Sequence, residues 1–444
     1  MSFSRKLRFT YLFLIGIAKR QYKNIIIGLA LGALGFYLFP KIIPYLNLKK
    51  GSVLKIGIVG RYQIGEIPSE ILEEISYGLV QVSEKGEYLP KLALGWKIED
   101  EGKKYTFNIT PEKIYWHDGK EFSSSDINYN FKGVEIQTTP DSISFTLKEP
   151  LSPFPVFVSK PLFRQGLIGL GEYKVQKISQ KGKIIQSLYL IPWQNKSLPK
   201  KIYRFYQTEE DLKTAFNLGE INIVNNLLDL NNLYLSKNVQ INKKLLNNAY
   251  IGLFYNTSKP PYSSKTFRQA LAYCLDKDPE TRATGPINPL SWAYNPDVKL
   301  YQKDLAHAQK LLEDEKIDKT NLKIIISSFP QFEKIANKIK ENLGEIGLNS
   351  EVKIVNTIPE DFDVLLMARE IPPDPDQYYF WHSTQAGNIS KFKSPRIDKL
   401  LEDGRKTIKK EERKTIYFDF QRFLSEEIPV VFLSHPVVYS IIRK

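Results

Sequence analysis

Four histidines (His117, His307, His382 and His435) and one cysteine, Cys274, are the side chains best suited to metal or nucleophile chemistry. A metal site needs ligands at short, repeated spacing. The densest grouping is Asp374, Asp376 and His382. Its two aspartates bracket a proline and point apart, and no second histidine stands at ligand spacing, so no metal is expected. His117 and Asp118 have the composition of a base and its orienting partner, yet neighbours at a strand end face opposite ways. A turn before a capped helix start at Ser123 to Asp126 accounts for them better. Cys274 falls on the apolar stripe of a predicted helix, where it is a small core residue, and a single cysteine forms no intrachain disulfide. No Gly-x-Ser-x-Gly elbow occurs, and Gly169 to Gly171 lacks the following glycine and lysine of a phosphate loop. No catalytic residue is assigned, and no cofactor is expected.

Binding fits the residues better. Tyr255, Tyr378, Tyr379 and Trp381 can line pockets, with core packing as the alternative for each. Strand ends in a cleft add free N–H and C=O groups, which pair with an extended peptide whatever its side chains. Positioning these groups falls to the stretch Tyr250 to Asp276. Tyr250, Ile251, Leu253 and Phe254 form a strand, Pro260 and Pro261 supply no donors, and a helix starts at Thr266. Its apolar residues Phe267, Ala270, Leu271, Cys274 and Leu275 make one buried stripe. The chain is read as crossing here between two lobes that flank a cleft.

Before this stretch, Val53 to Val59 and Lys104 to Ile109 read as strands, with a loop at Ile64, Gly65 and Glu66 between them. After it, Leu322 to Ile326 is a fully apolar strand, and a helix from about Gln331 to Ile346 stops at Gly347. Strands follow at Val352 to Val355 and Val364 to Met367. This alternation predicts a parallel α/β layer. The loop beyond Met367, from Arg369 and Glu370 to Trp381 and His382, then lies at a strand's carboxyl end, where ligands are usually met. Helices at about Arg396 to Asp403 and Glu411 to Glu426 precede two last strands, Val430 to Leu433 and Val437 to Ile442, both expected to return to the first lobe.

At 444 residues, two to three domains are expected. Net charge is +14, but residues 1–50 hold nine Lys and Arg and no acid, which leaves +5 for the rest, an ordinary solvated surface that gives no reason to expect nucleic acid. Ile25 to Phe39 carries no charge and, extended by Ile42, Ile43, Tyr45 and Leu46, reaches the ~20 residues of a bilayer span. No small-residue cleavage site and no nearby lipoprotein cysteine follow it. The expectation is a basic cytoplasmic segment (1–23), an uncleaved transmembrane anchor (24–46) and a large exterior.

The exterior carries a specific pattern: Leu89 Pro90 Lys91 Leu92 Ala93 Leu94 Gly95 Trp96, a Lys104 Tyr105 Thr106 Phe107 strand, Trp116 His117 Asp118 Gly119, then Ser123 to Asp126. Gly169 to Val175, Leu218 to Asn222, Tyr255 Asn256 Thr257 to Pro261, and Phe267 to Asp276 continue it in order. It resembles the family 5 extracellular solute-binding proteins, the dipeptide- and oligopeptide-binding components of ABC importers, from about residue 53 to the C-terminus. The resemblance implies an α/β, two-lobed, periplasmic-binding-protein-like (type II) clamp with an extra subdomain in its first lobe. Residues 52–250 would form lobe I, 251–428 lobe II, and 429–444 the return to lobe I. Implied partners are a short peptide or other small solute and the permease and ATPase subunits of a transporter, with the membrane held through the N-terminal helix. In the peptide-binding members an aspartate before the Asp-Pro-Asp stretch holds the peptide's amino terminus. Aligning Asp374 Pro375 Asp376 puts Ile371 at that place, so either the neighbouring Glu370 substitutes or the clamp is absent. The candidate ligand-binding residues are Ile64, Gly65, Glu66, Tyr255, Asn256, Glu370, Asp374, Tyr378 and Trp381. A surface-tethered sensor or scaffold without a transporter is the alternative function, and a hydrolase using His117 or Asp374 has the least support.

Overall fold

The computed structural model describes residues 53–443. The expected basic segment and anchor lie outside them. Among the described residues, no helix is long and apolar enough to cross a membrane. The chain begins with β1 (Val53–Val59), a 3-10 turn at Ile64–Glu66 and α1 (Ser69–Ile75). An insert follows: the hairpin β2 (Val80–Val82) and β3 (Tyr88–Pro90), then β4 (Ala93–Glu99), β5 (Lys104–Ile109), β6 (Glu135–Thr139), β7 (Ser142–Thr146) and the single turn α2 (Phe154–Phe157). Next come β8 (Tyr173–Lys181), β9 (Ile184–Pro192), β10 (Lys200–Tyr206), α3 (Glu209–Asn217), β11 (Ile223–Leu227) and β12 (Val239–Leu245). The remainder is β13 (Ala249–Tyr255), α4 (Lys265–Cys274), α5 (Leu305–Asp314), β14 (Lys323–Ser328), α6 (Glu333–Glu345), β15 (Asn349–Ile354), β16 (Val364–Glu370), α7 (Tyr378–Trp381), α8 (Pro395–Lys406), α9 (Lys410–Glu427), β17 (Val430–Ser434) and β18 (Val437–Arg443).

These strands form a seven-stranded sheet in the order β12-β18-β11-β1-β10-β9-β8, the basis of a first lobe. A five-stranded sheet, β15-β14-β16-β13-β17, underlies a second lobe, and the insert has its own four-stranded sheet, β4-β5-β7-β6. β1 runs parallel to β10 and β11, and β14 runs parallel to β15 and β16, as expected for strands joined by helical crossovers.

Period-two alternation explains how β13 works as the spine of the second lobe. Ile251, Leu253 and Tyr255 enter one apolar cluster, with α4 and α6, while Tyr250 and Phe254 enter the other, with α8 and α9. A strand buried on both faces reads as a continuous apolar run, which is how the sequence presents it. Cys274 is buried on α4, and burial raises its thiol to about 12, far from nucleophilic.

Two expectations need correction. The strand at 430–434 does not return to the first lobe: it pairs antiparallel with β13 in the second sheet, and only β18 crosses back, between β11 and β12. Val430, Val431, Phe432 and Leu433 are all buried, so they require a sheet with both faces covered, whereas in β18 only Val438 and Ile441 are buried. The capped start at Ser123 leads to a single 3-10 turn at Ser124–Asp126 rather than a helix. The Asp126 carboxylate accepts the Ser123 N–H, but no apolar stripe follows to bury.

The hairpin β2–β3 ties the insert to the second lobe. Trp292 donates its Nε1–H to the Gly86 carbonyl (3.0 Å) and its N–H to Lys85 (3.3 Å), and Lys410 pairs with Glu87 at 2.9 Å. Gly86 has φ +73°, and a Cβ there would stand 2.6 Å from the Pro373 carbonyl, so only glycine admits this approach.

Candidate functional site

First lobe, insert and second lobe meet around a cavity of about 220 Å³, lined by Glu73 of α1 and Tyr77 just after it, Val80, Gln81 and Lys91 of the insert, Val156, and Pro373 from the loop after β16. Burial, then the charge of Glu70, holds the Glu73 carboxyl above its usual range. Lys91 extends over the Tyr77 ring, its Nζ 4.1 Å from the centroid. The lining thus offers both a carboxylate and an ammonium. Tyr62 lies on the loop after β1, and Glu370 ends β16. Burial first, then the charges of Glu70 and Glu370, push the Tyr62 phenol up. Tyr62 itself packs edge-on against Phe205 and donates to the Val59 carbonyl.

The structure divides the candidate residues into two groups. Ile64, Gly65, Glu66 and Glu370 are exposed, on the loop after β1 and at the end of β16. The others are structural. Tyr255 is fully buried, stacked on Tyr262, because it continues the inward register of Ile251 and Leu253. Asn256 is also fully buried, and its amide donates to the Phe362 carbonyl at 3.0 Å. Asp374 is held by Arg413 through two bonds of 2.6 and 2.9 Å and accepts the Tyr88 hydroxyl. Burial first and Asp374 second keep that phenol protonated, so it donates. Trp381 lies stacked on Phe254 with 6.3 Å between centroids, inside the second lobe. Tyr378 is half-buried between His382 and the Arg405 guanidinium.

The remaining chemistry-bearing residues are likewise structural. Asp376 is paired with Arg405 at 2.8 Å, and Asp118 with Arg164 at 3.1 Å. Among the described residues no group of three His, Cys, Asp or Glu side chains could hold a metal ion. His117 accepts the Gly169 N–H at Nδ1 (3.3 Å) and donates from Nε2 to the Gly171 carbonyl (3.0 Å), which fixes the neutral tautomer. Burial, and less strongly Lys174, lowers its pKa from 6.5, and burial does the same to His435. A histidine that binds its proton less readily when folded leaves stability intact above the unfolded pKa and removes it as pH falls below. Thermal unfolding is therefore expected at lower temperature at about pH 5.5 than at pH 7, with a smaller difference in the His117→Gln/His435→Gln variant. Equal slopes in the two proteins would show that neither ring is responsible.

Sequence reasoning missed Glu73, Tyr77, Lys91, Tyr88 and Arg413, and so did not see what holds Asp374. Arg413 could have been found: it lies four residues before Tyr417 and seven before Phe420, on the buried stripe of α9. Glu73 and Lys91 carried no such signal, because their elements meet only in the folded chain.

The model of the bacterial extracellular solute-binding proteins, family 5, middle region, matches residues 133–391, more than half of the chain. The dipeptide-binding protein of Escherichia coli is 22% identical over 81% of this chain and 83% of its own. Among solved structures, NikZ of Campylobacter jejuni in complex with Ni(L-His) superposes with a TM-score of 0.75, at 22% identity, over 88% of this chain and 94% of that one. AppA of Bacillus subtilis in complex with a nonapeptide gives a TM-score of 0.70, at 20% identity, over 89% and 95%. With that shared fold and the family match over its centre, the chain belongs to the bacterial extracellular solute-binding proteins of family 5.

Proposed function

We propose that the protein is the membrane-anchored binding component of an ABC importer and holds a short peptide between its two lobes. The observation that carries this reading is that Glu73 and Lys91 both line one cavity at the junction of the lobes and the insert. A free peptide is a zwitterion, and a lining with both charges can take its ammonium and its carboxylate together. Glu70 and Glu370 add negative potential at the gap, and the exposed turn at Ile64–Glu66 supplies backbone groups for an extended chain. Peptide-binding relatives such as the dipeptide-binding protein of Escherichia coli support the ligand class. Ligand would draw the lobes together, and the closed form would dock on a permease. The anchor is assigned to residues 24–46 from their apolar composition.

A thermal-shift screen of di- to pentapeptides tests the ligand. At 100 times Kd a bound peptide stabilises by about 2.7 kcal/mol. N-acetylated peptides, and the Glu73→Gln variant with free peptides, should show a smaller shift. No stabilisation by any peptide removes the assignment.

Ile371 favours a second reading. At the position where the peptide-binding members place their clamp aspartate, this side chain is buried in the second lobe's apolar cluster. A surface-tethered sensor or scaffold would need no such clamp. Recovery of a permease and its ATPase with the full chain from membranes would exclude that reading.

A further inference from the structure

One end of the seven-stranded sheet, where β1 starts, exposes large apolar side chains: Tyr234 is 75% exposed, Leu218 72%, Leu235 43% and Val53 39%. Specific hydrogen bonds gather them there. Asn217, at the end of α3 and next to Leu218, accepts the Tyr234 N–H and donates to the Asn232 carbonyl, both at 2.8 Å. Arg443, the last residue of β18, donates to the Phe216 carbonyl at 2.6 Å and pairs in register with Val239, where β12 begins. Its N–H meets the Asn222 carbonyl, Asn222 in turn donates to Lys55 of β1, and Val53 pairs with Lys200. The loop 228–238 and the turn after α3 thus share the sheet end at which the chain enters. Lys200 and Lys237 are exposed at the same end; of the acids nearby, Glu220 is paired with Arg204 at 3.0 Å, Asp229 of the loop with Lys213 at 2.8 Å, and Glu210, which accepts from Asn232, stands 3.6 Å from Lys213.

In the sequence, only Asn47 to Ser52, two of them lysines, separate Val53 from the apolar run that closes at Leu46. Six residues reach at most about 20 Å. We infer that this sheet end rests on the outer bilayer surface, with Leu218, Tyr234 and Leu235 entering the interface and Lys200 and Lys237 meeting lipid phosphates. The inference rests on the anchor proposed above. A tether this short selects the bilayer over a second copy or a distant partner, and Tyr beside Leu with lysines at the rim is the chemistry of an interfacial contact. The turn at Ile64–Glu66 stands at the other end of β1, about 23 Å away at strand rise, so the binding gap faces away from the lipid.

The test uses the full chain in nanodiscs of phosphatidylcholine and phosphatidylglycerol. A fluorophore is placed on Leu218→Cys or Tyr234→Cys, with Tyr379→Cys in the second lobe as control; Cys274 is buried and stays unlabelled. Brominated lipid is expected to quench at 218 and 234 roughly twofold or more above 379, as for side chains seated at the headgroup boundary. Protein that stays in the disc through an alkaline wash, with no quenching at 218 and 234, overturns the contact and spares the anchor. Protein released by the wash overturns both.

Discussion

Asp374→Ala is expected to lower folding stability by about 3–5 kcal/mol, because it strands the Arg413 guanidinium inside the protein. The side chains of this pair are 3% and 4% exposed, and the carboxylate accepts two guanidinium bonds besides the Tyr88 hydroxyl. Urea unfolding of the exterior domain measures the effect, and a loss below about 1 kcal/mol would mean that water or another acid replaces Asp374. The double variant Asp374→Leu/Arg413→Met should recover much of the loss, since a buried ion pair exchanged for apolar side chains is often neutral. Tyr88→Phe removes one hydrogen bond and should cost only about 1 kcal/mol. Asp374 therefore works as a fastener between the insert's hairpin and the second lobe, although the sequence offered it as a ligand contact.

Trp381→Ala is expected to cost about 3–5 kcal/mol as well, through lost transfer energy and the cavity left behind. Its ring is 1% exposed, stacked on Phe254, with the Arg369 guanidinium 5.9 Å from its centroid. A pocket-lining tryptophan would behave differently, losing peptide affinity with little change in stability. Tyr379→Ala, two residues earlier and 54% exposed, should stay within about 0.5 kcal/mol of the parent. If the two variants are equally stable, the burial assigned to Trp381 is wrong.

Much of the second lobe was legible because its elements are long and strongly periodic. The stripes of α4, α6 and α9 sit close to where spacing puts them, and the both-faces-apolar character of β13 and β14 pointed to a covered sheet. The same alternation had the means to place Tyr255 correctly, since it follows Ile251 and Leu253 at period two. Reading it as a pocket residue gave its aromatic area more weight than its register. Asp374 and Trp381 misled for a related reason. A loop beyond a strand end is a good place for ligands, but this one folds back onto the lobe, and Arg413, more than thirty residues downstream, captures the aspartate.

By itself the sequence determined the main strands and helices of the second lobe, that the centre is α/β, that one apolar run stands apart at the N-terminal side, and the pattern of the family. These follow from local periodicity and composition, which act over a few residues. Only the tertiary structure decided that Glu73 and Lys91 share a cavity, that β17 stays with β13 while β18 crosses back, and that Leu218 and Tyr234 meet beside the start of β1. Each of these joins residues well apart in the chain. Long-range contacts depend on how whole elements pack, and no spacing rule within one segment encodes them.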